Sequence, residues 1–81
     1  MSDYIKIQVM QEDADWCSIQ MTNLDTGATG FDNWLKNKNG TLTWHCGSMY
    51  NSLVQKVGVE KAMRHTEHAL ARRRKYIIIE A

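Results

Sequence analysis

Two alternating segments near the start of the chain constrain the fold more than any other feature. Residues Tyr4–Met10 carry isoleucine or valine at every second position, and residues Trp16–Thr22 repeat the alternation with Cys17, Ile19 and Met21. A period of two is that of a β-strand with one buried face. The short segment between them is polar and has the composition of a turn. The two segments therefore predict a β-hairpin.

The segment Phe31–Lys36 has two interpretations. The spacing of its apolar residues favours a short helix or turn, followed by a strand over Leu42–Cys46. The Asn-Gly dipeptide that precedes this strand, however, is typical of a tight hairpin turn. The alternative is therefore a second hairpin that brings Trp34 near Trp44.

A helical pattern begins after Cys46. Ser48 is a suitable N-cap, and apolar residues recur at helical spacing from Met49 to Leu70. Gly58 interrupts this pattern, and a glycine inside a helix costs about 1 kcal/mol. The sequence predicts either one long helix or two pieces that meet at Gly58.

The end of the chain completes the predicted architecture. Residues 75–80 form a strand pattern that is apolar on both faces, which favours an interior position in a sheet, beside the first strand. We therefore expect a single α+β domain over residues 1–81. Its small antiparallel or mixed β-sheet comprises the N-terminal hairpin, a middle strand and the C-terminal strand, and it packs against one long or broken α-helix. The interior placement predicts that Ile78→Asp unfolds the domain.

The two halves of the chain differ in charge although the total is only +1. Residues 1–40 contain three lysines and six acidic residues, a net of −3, whereas residues 41–81 contain seven basic and three acidic residues, a net of +4. A total near zero does not indicate a dedicated nucleic-acid-binding domain. The asymmetry instead directs attention to the basic half as a site of partner binding.

Most of the basic residues of the second half are predicted to fall on one side of the helix. At 100° per residue they form a stripe, opposite the apolar residues, that consists of Lys61, Arg64, His65, His68, Arg72 and Lys75. We expect this stripe to bind an acidic surface of a protein or nucleoprotein complex, or the phosphates of a nucleic acid. The alternative is a solvated helix face with no binding role.

The residue types that supply chemistry do not form a recognisable motif. His45, Cys46, Cys17 and the pair His65 and His68 are possible metal ligands, but the chain lacks a Cys-x-x-Cys motif. No nucleophile elbow, phosphate-binding loop or paired-carboxylate arrangement is present. We expect no metal, no cofactor and no enzymatic activity, and we expect both thiols to be buried as small apolar groups.

These features together predict a non-enzymatic protein that binds a macromolecular partner. No apolar stretch approaches the roughly 20 residues that span a bilayer, and the N-terminus lacks the pattern of a signal peptide. We therefore expect a cytoplasmic protein with reduced thiols and no membrane contact. Small size and asymmetric charge favour a protein-directed inhibitor or adaptor of the phage or mobile-element anti-defence type, as anti-CRISPR proteins are. The alternative is a nucleic-acid-binding accessory or regulatory protein that uses the basic helix face. A homodimer is a further expectation, because sharing a sheet edge or the apolar helix side would deepen a thin core.

Overall fold

A computed structural model of the protein describes residues 4–47 and 53–80. The elements in chain order are β1 (Tyr4–Glu12), β2 (Trp16–Asn23), β3 (Thr29–Lys36), β4 (Leu42–Gly47), α1 (Leu53–Val57), α2 (Val59–Ala71) and β5 (Tyr76–Glu80). The strands form one sheet in the order β4-β3-β2-β1-β5, and all neighbouring strands are antiparallel. Neither helix is long and apolar enough to cross a membrane.

One face of the sheet packs against the helices and forms the core. The alternation seen in the sequence places a buried residue at every second position of β2. The residues opposite them on β3 are buried as well, and so are Ile5 and Ile7 on β1. The core residues with the least exposure are Ile5, Ile7, Cys17, Ile19, Met21, Trp34, Leu53, Ala62 and Ala69. Burial of this apolar surface is the main stabilising contribution, at about 25 cal/mol per Å² removed from water.

The predicted N-terminal hairpin is confirmed. β1 and β2 pair in antiparallel register, with Ile7 opposite Met21 and Val9 opposite Ile19. An irregularity between Val9 and Gln11 adds one residue to β1, so that the alternation resumes with Glu12 opposite Cys17.

The prediction of a helix or turn over Phe31–Lys36 is wrong, because this segment is most of strand β3. The second hairpin, the alternative interpretation, is present, and Trp34 pairs directly with Trp44. In the loop between β3 and β4 the Asn37 N–H donates to the Thr41 carbonyl oxygen at 2.9 Å. Gly40 adopts a positive φ of 87° in this loop. The turn residues therefore outweigh the helical spacing of a few apolar side chains.

The predicted fold class is also wrong. The dominant element is a five-stranded antiparallel sheet that carries two short helices, so the chain is α+β only in the broad sense. Gly58, at φ 91°, separates α1 from α2, and α2 ends where Arg72 adopts an extended conformation. The predicted N-cap Ser48 lies outside the described residues. β5 lies beside β1, as predicted, but at the edge of the sheet rather than inside it.

Candidate binding surfaces

The face of the sheet opposite the helices is not covered by any described element. We call it the open face. It is formed by the residues that alternate with the core positions, and after the irregularities in β1 and β4 it comprises Tyr4, Lys6, Gln8, Gln11, Trp16, Ser18, Gln20, Thr22, Thr29, Phe31, Asn33, Leu35, Thr43, Cys46, Tyr76, Ile78 and Glu80. Antiparallel sheets often have one solvated face, but such a face is usually polar.

Large apolar side chains stand exposed on the open face. Phe31 is 46% exposed, Leu35 is 42% exposed and Ile78 is 53% exposed. Leu35 lies directly opposite Trp16, which is half-buried, so these two side chains form an apolar pair across β2 and β3. Elsewhere on this face polar residues separate the apolar ones, since Phe31 lies opposite Gln20 and Ile78 lies opposite Lys6.

Formal charge is almost absent from the open face. Among its residues only Lys6 and Glu80 carry a formal charge. The Lys6 ammonium lies 4.8 Å from the ring centroid of Tyr76, so this charge is partly engaged by an aromatic neighbour. The remaining polar groups are neutral amides and hydroxyls, and some satisfy each other, as in the 2.8 Å hydrogen bond between the Thr22 and Thr29 hydroxyls.

The structure divides the predicted basic stripe into two parts. Four of its residues, Lys61, Arg64, His65 and His68, lie on α2, on the opposite side of the molecule from the open face. Arg72 and Lys75 lie beyond the end of α2, in the turn that leads into β5. The stripe is therefore not continuous, because the helix that would have aligned it ends at Ala71.

Several stripe residues are engaged within the molecule. Arg64 Nη2 lies 3.0 Å from Glu60 Oε1, one helical turn away, in an exposed ion pair. Lys75 Nζ donates to the Leu70 carbonyl oxygen at 2.8 Å and lies 3.4 Å from Glu12 Oε1. Lys75 thus fixes the turn at the end of α2 and is a weaker candidate for partner binding than its neighbours.

His65 differs from the other stripe residues because it is half-buried. Desolvation lowers the pKa of its imidazole, and the neighbouring His68 and Lys61 lower it further. The pKa is thereby moved below its usual value of 6.5, which favours the neutral ring at neutral pH. His65 therefore adds less positive charge to this face of α2 than an unperturbed histidine would.

The basic turn before β5 was only partly recognised as a site from the sequence. Arg72, Arg73 and Arg74 are all exposed, and we call them the arginine turn. Together with Tyr76 they line a shallow concavity of about 370 Å³ at the rim of the open face. Within residues 4–47 and 53–80 no acidic side chain forms an ion pair with these arginines. Arg73 and Arg74 were left out of the predicted stripe because they do not share its helical angle, and a turn does not preserve that angle.

The strongest ion-pair cluster of the described residues holds the ends of the strands together. Glu12 accepts a hydrogen bond from Lys36 Nζ at 2.7 Å and also contacts Lys75. The hydrogen bond from Lys36 lowers the pKa of Glu12, and Lys75 adds to this effect, while partial burial opposes it. This cluster links β1, β3 and the turn before β5, and it has a structural role.

A second concavity lies between the end of α2 and the β3–β4 hairpin. It has a volume of about 420 Å³, and its wall includes Leu42, Leu70, Glu67 and Lys36. It is open to solvent, and Lys36 is already paired with Glu12. Among the described residues that line it, none is a nucleophile with an adjacent base.

The two thiols lie on opposite faces of the sheet. Cys17 is fully buried opposite Trp34, and burial raises the pKa of its thiol. Cys46 is exposed on the open face, where Asn33 Nδ2 lies 3.5 Å from its sulfur. The prediction that both thiols are buried is therefore wrong for Cys46, and the pair cannot form an intramolecular disulfide. Across residues 4–47 and 53–80 no group of three or more His, Cys, Asp or Glu side chains is placed to hold a metal ion.

Comparison of the chain with protein-family models, with curated proteins and with solved structures yields no match of any of the three kinds.

The sequence analysis did not identify the open face as a candidate site. The side on which Phe31 and Leu35 lie depends on whether residues Phe31–Lys36 form a helix or a strand. In a helix, Phe31, Trp34 and Leu35 would share one apolar side. In the strand, Trp34 is 1% exposed on the core face, whereas Phe31 and Leu35 are on the other face. Read as a strand, this segment has large apolar residues on both faces, and that pattern could have indicated exposed apolar residues on β3.

Proposed function

We propose that this protein is a non-enzymatic binding module that docks on another protein through its open face. The observation that carries the proposal is the combination of exposed Phe31 and Leu35 with an almost complete lack of formal charge on that face. The centres of protein–protein interfaces are enriched in aromatic residues and depleted in Lys, Glu and Asp. Exposed apolar patches on small proteins also commonly mark interaction sites.

The arginine turn places positive charge at one border of this surface. It lies at the rim of the open face beside Tyr76, and arginine is enriched at interfaces because its planar group binds carboxylates through two hydrogen bonds. The expected partner surface is therefore apolar, with acidic groups at one border. Complementary charge at a rim acts mainly on orientation and on the association rate.

A surface of this kind acts by occupying a site on its partner rather than by chemistry. We therefore retain, as part of the proposal, an inhibitor or adaptor of the anti-defence type that acts in the cytoplasm on a protein or nucleoprotein complex. The exposed, unpaired thiol of Cys46 fits a reducing compartment.

Nucleic-acid binding is the second candidate, and one observation favours it. The arginine turn, Lys6 and the Tyr76 ring lie at one border of the open face, and aromatic rings with nearby cations bind single-stranded nucleic acids by stacking and charge neutralisation. The rest of the open face, however, offers no further cation along which a phosphate backbone could run. Protein binding is therefore the better supported of the two.

The first experiment compares two variants that alter opposite sides of the molecule. Phe31→Lys/Leu35→Lys alters the open face, and Lys61→Glu/Arg64→Glu alters α2. A partner is captured on the immobilised wild-type protein from a host lysate, purified, and titrated against all three proteins. Because central apolar contacts often contribute 1–2 kcal/mol or more each, we expect the open-face variant to bind about a hundredfold more weakly, and the α2 variant to bind like wild type.

The opposite result would identify the site predicted from the sequence. If the α2 variant loses the partner while the open-face variant keeps it, with unchanged circular dichroism spectra, the basic residues of α2 bind the partner and the open-face proposal is wrong.

A second experiment separates protein from nucleic acid as the partner. Labelled duplex DNA, single-stranded DNA and RNA are titrated with the pure protein at low and at moderate salt. We expect no binding at either salt concentration. Binding that weakens steeply as salt rises would overturn protein docking in favour of phosphate contacts at the arginine turn.

A further inference from the structure

The edge formed by β5 exposes backbone groups in a fixed pattern. The Val9 N–H donates to the Lys75 carbonyl oxygen at 2.8 Å, so this carbonyl and the backbone groups of Ile77 and Ile79 point toward β1. The Lys75 N–H donates instead to the Arg72 carbonyl oxygen within the turn. The backbone groups of the alternate residues of β5 point away from the sheet. The residues whose N–H and C=O point away are Tyr76, Ile78 and Glu80. No described strand lies beyond β5 to receive them.

The central residues of β5 carry no feature that prevents pairing, and its one charged residue, Glu80, is the last residue of the strand. Natural edge strands usually carry a lysine, a proline, a bulge or an inward-pointing charge that prevents pairing with another chain. β5 pairs with β1 in uninterrupted register, and its three central residues are all isoleucine. Ile78, in the middle, is 53% exposed. The edge is thus short, regular and apolar, and it has three residues with outward-pointing hydrogen-bonding groups.

We propose that β5 pairs antiparallel with β5 of a second copy of this chain, about a two-fold axis that passes through Ile78. In this register Ile78 faces the partner's Ile78, and Tyr76 faces the partner's Glu80. Each of the three outward-pointing residues then enters a hydrogen-bonded pair, which exchanges two backbone hydrogen bonds. The two sheets become one continuous sheet with the helices of both copies on the same side.

The chemistry of the strand is complementary to itself. The arginine turn precedes β5 and Glu80 ends it, so antiparallel pairing places the acidic end of one strand beside the basic start of the other. On the core side, Ile77 lies opposite the partner's Ile79, and both positions are only partly buried in the single chain. A second copy therefore pairs the arginine turn with Glu80, binds the outward-pointing backbone groups and completes the burial of Ile77 and Ile79. For these reasons a second copy is favoured over an unrelated strand.

The interface is small, so the dimer is expected to be weak and dependent on concentration. Sedimentation velocity of the wild-type chain from micromolar to millimolar concentration should show a monomer–dimer equilibrium. In Ile78→Lys two ammonium groups face each other at the two-fold axis, and we expect the dimer dissociation constant to rise at least about tenfold. The matched control is Phe31→Lys, which introduces the same charge at a similarly exposed open-face position on another strand and should dimerise like wild type.

Two outcomes would overturn the proposal. One is a wild-type chain that stays monomeric throughout this range, and the other is an Ile78→Lys variant that dimerises like wild type. The result is independent of partner docking, because Phe31→Lys is expected to weaken the partner complex while leaving self-association intact.

Crosslinking tests the register itself. In a Cys46→Ser background, Ile78→Cys places two thiols opposite each other at the axis, with Cα atoms about 5.5 Å apart, and a short bifunctional thiol reagent should give a covalent dimer. Leu24→Cys, exposed in the β2–β3 loop, is the control and should crosslink far more slowly. Equal crosslinking of the two variants would show that the axis does not pass through Ile78.

Discussion

The two edges of the sheet are built in different ways. β4 is irregular, since the shift between Asn33 and Trp34 leaves His45 without a ladder partner, and its open-face side chains are polar or small. β5 is regular and apolar on both faces. A bulge bends and twists an edge strand and thereby discourages pairing with another chain. β4 is thus the protected edge of this sheet and β5 the unprotected one.

The two edge strands are also held in place by different interactions. The last residue of β4, Gly47, lies beneath the buried carboxylate of Asp32, and Trp44 Nε1 donates to the same carboxylate at 3.3 Å. β5 is held by its ladder with β1 and by apolar packing of Ile77 and Ile79. Specific side-chain geometry therefore determines the stability of β4, whereas β5 depends on burial of one face only. This difference predicts unequal responses to substitution.

Between the two edge strands, the larger effect is expected at Gly47 in β4. A Cβ at this position would overlap the Asp32 carboxylate, so Gly47→Ala must displace a buried charged group or the backbone of β4. Overpacking alone costs roughly 1–3 kcal/mol, and disturbing a buried carboxylate adds to it, so we expect a loss of about 3 kcal/mol in the free energy of unfolding. Urea denaturation measures it. The control, Cys46→Ala at the exposed neighbouring position, should change the free energy of unfolding by less than about 0.5 kcal/mol. If Gly47→Ala is as stable as this control, the contact with Asp32 does not hold β4 in place.

A smaller effect is expected at the exposed position of β5. Ile78→Asp was expected to unfold the domain when β5 was placed inside the sheet, but Ile78 is 53% exposed at an edge. The charge stays in water, so we now expect a loss of less than about 1 kcal/mol, mostly from the low β propensity of aspartate. Thermal unfolding at a concentration where the chain is monomeric gives the value.

Ile7→Asp is the control for this substitution, because Ile7 is fully buried on β1, opposite Ile77. It should prevent folding, since it buries an unpaired charge. Similar melting temperatures for the two variants would contradict the assignment of Ile78 to a solvent-exposed edge.

The sequence predicted the local elements that are specified by their own pattern. The first hairpin follows from the alternation of Tyr4–Met10 and Trp16–Thr22, and pairing of the last strand with the first follows from its apolar composition. The position of β5 at an edge could not be predicted in this way. An apolar run is typical of a buried strand, and an edge strand with the same run is distinguished only by the topology, which depends on contacts between distant residues.

The candidate site was less predictable than the fold. The basic stripe required one helix to continue through Lys75, but α2 ends at Ala71, and the charges beyond it take the direction of a turn. The open face depended on β3 being a strand, which was the less favoured interpretation. The wrong element for Phe31–Lys36 arises where local spacing is compatible with helix and strand alike, and where turn residues and tertiary pairing decide between them. The binding role of the stripe stays a prediction, and only its continuity depends on where the helix ends.

The smallest effect concerns the turn that leads into β5. Glu12 contacts Lys36 and Lys75, and the hydrogen bond from Lys36 lowers its pKa in the folded protein below the usual value of 4.5. The unfolded chain therefore binds a proton more readily, so the stabilisation is complete above pH 4.5 and is lost as the pH falls through the lowered pKa of the folded state. Because Glu12 is partly exposed, we expect this stabilisation to be less than about 1 kcal/mol.

Glu12→Gln should reduce the acid sensitivity of the free energy of unfolding between pH 5 and about pH 3. Hydrogen exchange should show the loosening at the Val9 amide, which bonds to Lys75, and not at the far end of β4 near Gly47, since Lys36 pairs with Leu42 at its near end. Equal acid-induced exchange in both edge strands would mean that Glu12 acts on the whole sheet, and that the two edges do not respond separately.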